Sequence, residues 1–199
     1  MEAVHRAVHA TWREVHAAHD RGEERWGGAG GEAGFWRRFV AAVYARVGGG
    51  EMPDPLLAGL VAHFREELHW TLYPEVPEVL AALRAAGLKL VVVSNWDSTL
   101  PSLLARLGLA DAFDDVIVSA VVGVSKPHRG IFEEALRRSG VAPGAALHVG
   151  DSLTDDYHGA RAAGLQALLV DRAGRHGPEV ESIASLVELP VRIAGRKTA

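Results

Sequence analysis

The chain has 199 residues, 48% of them hydrophobic and 23% charged, with a net charge of −4 and no cysteine. These values fit a globular protein of one domain, or of a core with an insert. They exclude disulfides, thiolate metal sites and a cysteine nucleophile, and mild acidity disfavours a nucleic-acid or anionic-membrane partner. No apolar run reaches about 18 residues, so no membrane span is expected. No basic start followed by an apolar stretch marks a secretion signal, and a cytoplasmic location is expected.

Every periodic segment up to about Trp70 predicts helix. Glu2 to Arg21 places Val4, Val8, Trp12 and Val15 on one face at helical spacing. Gly22 and the glycine cluster from Gly27 to Gly31 then break the chain. Glu32 to Val47 carries a broad apolar stripe of Phe35, Trp36, Phe39, Val40, Val43, Tyr44 and Val47. The aromatic residues of that stripe are expected to form a helical core. Gly48 to Gly50 end it. A third helix starts near Asp54-Pro55 and carries Leu56, Leu57, Leu60, Val61, Phe64 and Leu68, with proline in the first turn, where its missing N–H is not needed.

After Tyr73 the pattern changes to strands alternating with helices. Apolar runs at Leu88–Val93, Val116–Ser119, Ala146–Val149 and Gln166–Val170 predict four strands. Helices are predicted at Glu78–Ala86, Ser98–Leu107, Ile131–Arg138 and Asp156–Ala163, with a weak one near Ser185–Leu189 and a solvated basic end at Arg196-Lys197. Such alternation implies α/β architecture, a Rossmann-like parallel sheet covered by helices. Ligands of these sheets bind beyond the carboxyl ends of the strands, so the residues that follow each strand carry the functional interest.

Three strand ends stand out. Ser94-Asn95-Trp96-Asp97 offers a hydroxyl, an amide and backbone N–H groups before a helix, which suits an anion or a plain N-cap. Trp96 could equally shape a pocket or pack. Lys126, in Gly123–Pro127, could neutralise an anionic substrate or sit solvated in a loop. Gly150-Asp151-Ser152-Leu153-Thr154-Asp155-Asp156 crowds three carboxylates, which is costly unless a cation sits among them. Oxygen donors without sulfur suit Mg²⁺, and a turn capped by Asp155 or Asp156 is the alternative. Together the three ends describe a site for a phosphorylated substrate and Mg²⁺.

His5, His9, His16 and His19 share one helical stripe with Trp12. His5 and His9 have the i, i+4 spacing of a zinc pair, but lack the glutamate of the His-Glu-x-x-His pattern. Surface or packing histidines, or a face that touches substrate, are the other readings.

Leu90–Asn95, Ser125-Lys126-Pro127, and Gly150-Asp151-Ser152 with Asp156 and Gly159–Gly164 resemble motifs II, III and IV of the haloacid dehalogenase superfamily. The resemblance covers about Tyr73 to Arg172. It implies a helical C1-type cap, N-terminally incomplete, at 1–72, and a Rossmann-like core lacking its first strand at 73–199. By the same resemblance Ser94 and the Asn95 backbone bind phosphoryl oxygens, and Lys126 offsets charge at the phosphate. Asp151 ligates Mg²⁺, and Asp156 orients Lys126 or joins the metal shell. Asp155 falls at a variable position, and His128 carries no assigned chemistry. The substrate class implied is a small phosphorylated metabolite, with oligomeric state open.

One family motif has no counterpart. The superfamily's attacking aspartate stands in an Asp-x-Asp sequence after an N-terminal strand, and neither Asp54, Asp114, Asp115 nor Asp171 matches it. That strand is central in the family sheet, between those predicted at Leu88 and Ala146. Its four or five large side chains would each contribute about 1.5–3 kcal/mol, which rivals the roughly 5–15 kcal/mol stability of a whole domain. An N-terminally truncated gene product, inactive as it stands, is therefore expected. A stop codon directly before Met1, with no upstream in-frame strand ending in Asp-x-Asp, would refute this. The alternatives are a non-catalytic protein that binds phosphate or a partner, and a 2-haloacid dehalogenase. The dehalogenases lack the Gly-Asp-Ser arrangement, so Gly150-Asp151-Ser152 argues for phosphate.

Overall fold

The computed structural model describes residues 2–26, 29–66 and 70–196. Gly27, Gly28, Leu68 and Lys197 lie outside the described residues, as does the Phe64 side chain. The chain divides into two compact units, Met1–Trp70 and Thr71–Ala199.

The first unit holds α1 (Glu2–Asp20), α2 (Gly31–Arg46) and α3 (Asp54–Glu66). Phe35, Trp36 and Phe39 are buried on α2, and the Trp12 ring of α1 lies 4.7 Å from that of Phe39. Tyr44 is only half-buried and packs beside Gly49, where a Cβ would sit 2.3 Å from its ring. The buried face of α1 differs from the predicted one. Ala7 and Thr11 are buried and Val4 is exposed. Small side chains let neighbouring backbone approach closely, and Thr11 Oγ1 donates to Ala7 O at 2.9 Å, so burying its hydroxyl leaves no unpaired group. Among the described side chains of α3, Leu57 alone is buried, whereas Leu56 and Leu60 are exposed.

The second unit runs α4 (Val76–Ala85), β1 (Val91–Ser94), α5 (Leu100–Arg106), β2 (Asp115–Val118), α6 (Ser119–Val122), α7 (Arg129–Ser139) and β3 (Leu147–Gly150). A π-helical turn at Leu153–His158 leads into α8 (Gly159–Ala162), followed by β4 (Gln166–Val170), β5 (Ser182–Ile183) and α9 (Leu189–Arg196). All pairings are parallel, β1 with β2, β3 with β4 and β4 with β5. The architecture is therefore Rossmann-like α/β, with the two-residue β5 beyond the four predicted strands.

One core joins Ile117 of β2, Ile131 and Phe132 of α7, Ala160 of α8 and Leu169 of β4, all fully buried. A second joins Val79 and Leu83 of α4 to Leu168, Ile183 and Leu189. The sheet itself is in two parts, β1-β2 and β3-β4-β5. The resemblance places a further strand between β1 and β3, and among the described residues none lies there. No helix among the described residues is long and apolar enough to cross a membrane.

Candidate active site

The polar cluster forms at the carboxyl ends of β1 and β3, around the loop that follows β2 and α6. Gly123 ends α6 in the left-handed conformation, at φ 82°, and turns the chain into Val124-Ser125-Lys126. Asn95, directly after β1, clamps this loop. Its Oδ1 accepts from Lys126 N at 2.7 Å, and its Nδ2 donates to Lys126 O at 2.9 Å. The Lys126-Pro127 peptide bond is cis.

The Lys126 side chain is not solvated; it is 11% exposed. Its Nζ donates to Val93 O at 2.9 Å and to Asp156 Oδ1 at 2.6 Å. The same carboxylate oxygen meets His148 Nε2 of β3 at 2.8 Å, and Oδ2 accepts from Ser152 N at 2.9 Å. Burial works against the Asp156 charge, but the His148 hydrogen bond and the Lys126 attraction outweigh it. The Asp156 carboxyl is held well below the usual carboxylate range.

Two glycines make this approach possible. A Cβ on Gly150 would meet Asp156 Cγ at 2.2 Å, so no other residue fits there without moving that carboxylate. A Cβ on Gly159 would lie 2.9 Å from Pro127 Cα, against backbone that cannot swing away.

The capping alternatives are met in part. Ser152 Oγ accepts from Asp155 N at 3.1 Å, so serine caps the turn. Asp97 Oδ1 accepts from Thr99 N at 2.9 Å at the start of α5. Ser94 is half-buried, and its hydroxyl makes no hydrogen bond to a described residue. Trp96 packs on the cluster of Leu100, Leu103 and Val118, a packing role. His128 Nδ1 accepts from Gly130 N at 3.1 Å and caps α7. Asp54 pairs with Arg37, Asp114 Oδ2 accepts from Leu90 N, and Asp171 is buried beside His176.

Asp151 follows β3 and is exposed. Asp155 Oδ2 lies 3.4 Å from Asn95 Nδ2. Among the described residues no three His, Cys, Asp or Glu side chains converge as a ready metal cage. Mg²⁺ does not need one, because it takes one or two carboxylates and fills its other positions with water and phosphate oxygens. The donor chemistry at Asp151 fits that ion. Asp156, expected either as metal ligand or as orienter of Lys126, already accepts three hydrogen bonds of about four it can take, the geometry of an orienter. His5 and His9 lie with Nε2 atoms 2.9 Å apart on the exposed face of α1, a direct ring-to-ring hydrogen bond.

Sequence reasoning missed His148. The available signal was a lone titratable residue inside the apolar run Ala146–Val149, whose burial requires a polar partner.

The parallel pairings and covering helices define a Rossmann-like α/β protein, and its polar cluster lies at the strand ends, where such folds bind their ligands. The family model of haloacid dehalogenase-like hydrolases matches residues 3–164. The chain belongs to that family. It is 38% identical over 141 residues to the mouse haloacid dehalogenase-like hydrolase domain-containing protein 3, covering 68% of this chain and 55% of that protein. The match thus spans little more than half the length of the mouse relative. It is 35% identical over 176 residues to the phosphoserine phosphatase of Thermus thermophilus, covering 87% of this chain and 68% of that one. The crystal structure of a 2-haloacid dehalogenase from Pseudomonas syringae is similar at a TM-score of 0.68 and 28% identity, over 98% of this chain and 81% of that chain.

Proposed function

We propose that the site serves Mg²⁺-dependent hydrolysis of a small phosphorylated metabolite by way of an aspartyl-phosphate. The observation that carries this reading is the Lys126 ammonium, buried at the strand ends with one N–H beyond the two given to Val93 O and Asp156. That remaining donor, the Ser94 hydroxyl and the Asn95 backbone N–H form a cradle for phosphoryl oxygens. Asp156, fixed by His148 and Ser152, holds the ammonium in place. Asp151 would hold Mg²⁺, which when bound offsets negative charge on the phosphoryl oxygens. The attacking aspartate of the family is not among these residues. The helical residues 1–72 are assigned by resemblance the role of a cap that selects the substrate, and the cytoplasm is the compartment. Likeness to the Thermus phosphoserine phosphatase supports a phosphomonoester substrate.

A second reading, a 2-haloacid dehalogenase, draws on the likeness to the Pseudomonas enzyme. It gives the exposed Asp151 carboxylate no task. Calorimetric titration of the chain with phosphoserine and with 2-chloropropionate, each with and without Mg²⁺, separates the two. Mg²⁺-dependent binding of the phosphoester is expected; metal-independent binding of the chloroacid alone would overturn the phosphatase reading.

A further inference from the structure

α1 carries a histidine pair that the strand-end site does not use. His5 and His9 stand one turn apart on the same helical face, and both are exposed. Their Nε2 atoms lie 2.9 Å apart. The ring centroids are 4.4 Å apart and the planes are tilted by 60°. Rings pointing straight at each other would add a full ring radius behind each nitrogen and hold the centroids further apart. The hydrogen bond between them is therefore bent, and the two nitrogen axes converge on a point beside both rings.

Two converging imidazole nitrogens are a donor set for a transition-metal ion. Metal–imidazole bonds of about 2.0–2.1 Å span about 2.9 Å between nitrogens at a right angle, and about 3.3–3.4 Å at a tetrahedral one. The observed separation matches the right angle. Cu²⁺ and Ni²⁺ take square or tetragonal shells with neighbouring donors at that angle, whereas Zn²⁺ takes the tetrahedron. Protonation permits the exchange. One Nε2–H lies between the rings; with that proton on Nδ1 of its own ring, both Nε2 lone pairs are open and both imidazoles stay neutral.

The surroundings support the pair. α1 packs on α2 through Trp12 and Phe39, so the backbone that sets the spacing is held and chelation orders only two side chains. Arg6, between the histidines in sequence, is paired with Glu2 at 2.5 Å, which offsets its charge. Other histidines have different tasks. His148 and His176 meet carboxylates, His128 caps α7, and His16 lies against the Trp12 ring. We infer that His5 and His9 form a two-nitrogen site for a tetragonal divalent transition ion, with Cu²⁺ as the preferred occupant. Its remaining positions are left to water or a small outside ligand. Asp151, a hard oxygen donor, does not share this preference.

The test is calorimetric titration of the untagged chain with Cu²⁺, Ni²⁺ and Zn²⁺ in a buffer that does not bind metal, with electron paramagnetic resonance of the Cu²⁺ form. One high-affinity Cu²⁺ per chain is expected, with a tetragonal spectrum split by two imidazole nitrogens and with Zn²⁺ bound more weakly. His5→Ala and His9→Ala should each weaken Cu²⁺ about tenfold or more and remove the two-nitrogen splitting. Both residues are exposed, so these variants keep the helix, which circular dichroism checks. His16→Ala should leave Cu²⁺ binding unchanged. Cu²⁺ affinity and spectrum unaltered in both single variants would overturn the inference. So would Zn²⁺ bound as tightly as Cu²⁺, or a loss in His16→Ala equal to that in His5→Ala.

Discussion

Lys126 Nζ lies 2.6 Å from Asp156 Oδ1, and the two side chains are 11% and 6% exposed. The pair ties the loop after β2 and α6 to the turn after β3, which are far apart in sequence. Neither charge can be left alone without a large cost, because little water remains to solvate it.

Replacing Lys126 by methionine leaves Asp156 buried beside His148 and the Ser152 N–H. Destabilisation of about 3–5 kcal/mol is expected, measured by urea unfolding. The double replacement Lys126→Met with Asp156→Leu should cost clearly less than the sum of the single ones. Additive losses would show that the two groups are not coupled.

Stability should fall in acid through Asp156. Its folded pKa lies below the unfolded value of about 3.9, so the unfolded chain takes up the proton first as pH drops. The contribution is complete above about pH 5 and is lost as pH falls through the unfolded value toward the folded one. Glu134, lowered to about 2 by hydrogen bonds from Arg137 and Arg138, acts with the same sign. Thermal unfolding followed from pH 7 to pH 3 should show a shallower acid slope in Asp156→Asn than in the parent chain.

Gly150→Ala should displace the Asp156 carboxylate, since the new Cβ would lie 2.2 Å from its Cγ. Gly159→Ala would press on the Pro127 backbone at 2.9 Å. Each should cost about 1–3 kcal/mol. Gly144→Ala, where nothing lies within 4 Å of the added Cβ, is the matched control and should change stability little. Comparable losses at all three positions would contradict the steric account.

The chain as given should not hydrolyse an aryl phosphate in the presence of Mg²⁺. Asp151 is assigned to the cation, Asp156 is engaged by Lys126, His148 and Ser152, and Asp155 lies beside the Asn95 amide, so none of these three described carboxylates is placed as the attacking group. Release of nitrophenol from nitrophenyl phosphate, abolished in Asp151→Ala, would contradict the lack of an attacking carboxylate.

Legibility in the sequence followed the strength of local signals. Gln166–Val170 is a strand with the predicted bounds, because an apolar run buried on both faces has few other outcomes. The strand predicted from Leu88 starts only at Val91, since Asp114 engages Leu90 and pairing along β2 begins at Asp115. Asp156–Ala163 was predicted as a uniform helix. The segment instead begins with a π-helical turn, where Ser152 N–H donates to the Asp156 carboxylate four residues on, a local polar bond that apolar spacing does not encode. β5 has two residues, too few for any period. At the site, Ser94, Asn95, Lys126 and Asp156 were legible as motif residues. The amide clamp of Asn95 on Lys126 and the place of His148 beside Asp156 arise only once the strands are brought together.

A crystal structure of the chain soaked with Mg²⁺ and inorganic phosphate tests the central claim most directly. The predicted result is a cation on the Asp151 carboxylate, with the phosphate bridging it to the Ser94 hydroxyl, the Asn95 N–H and Lys126 Nζ. Phosphate bound elsewhere, or a cation held without Asp151, would contradict the account.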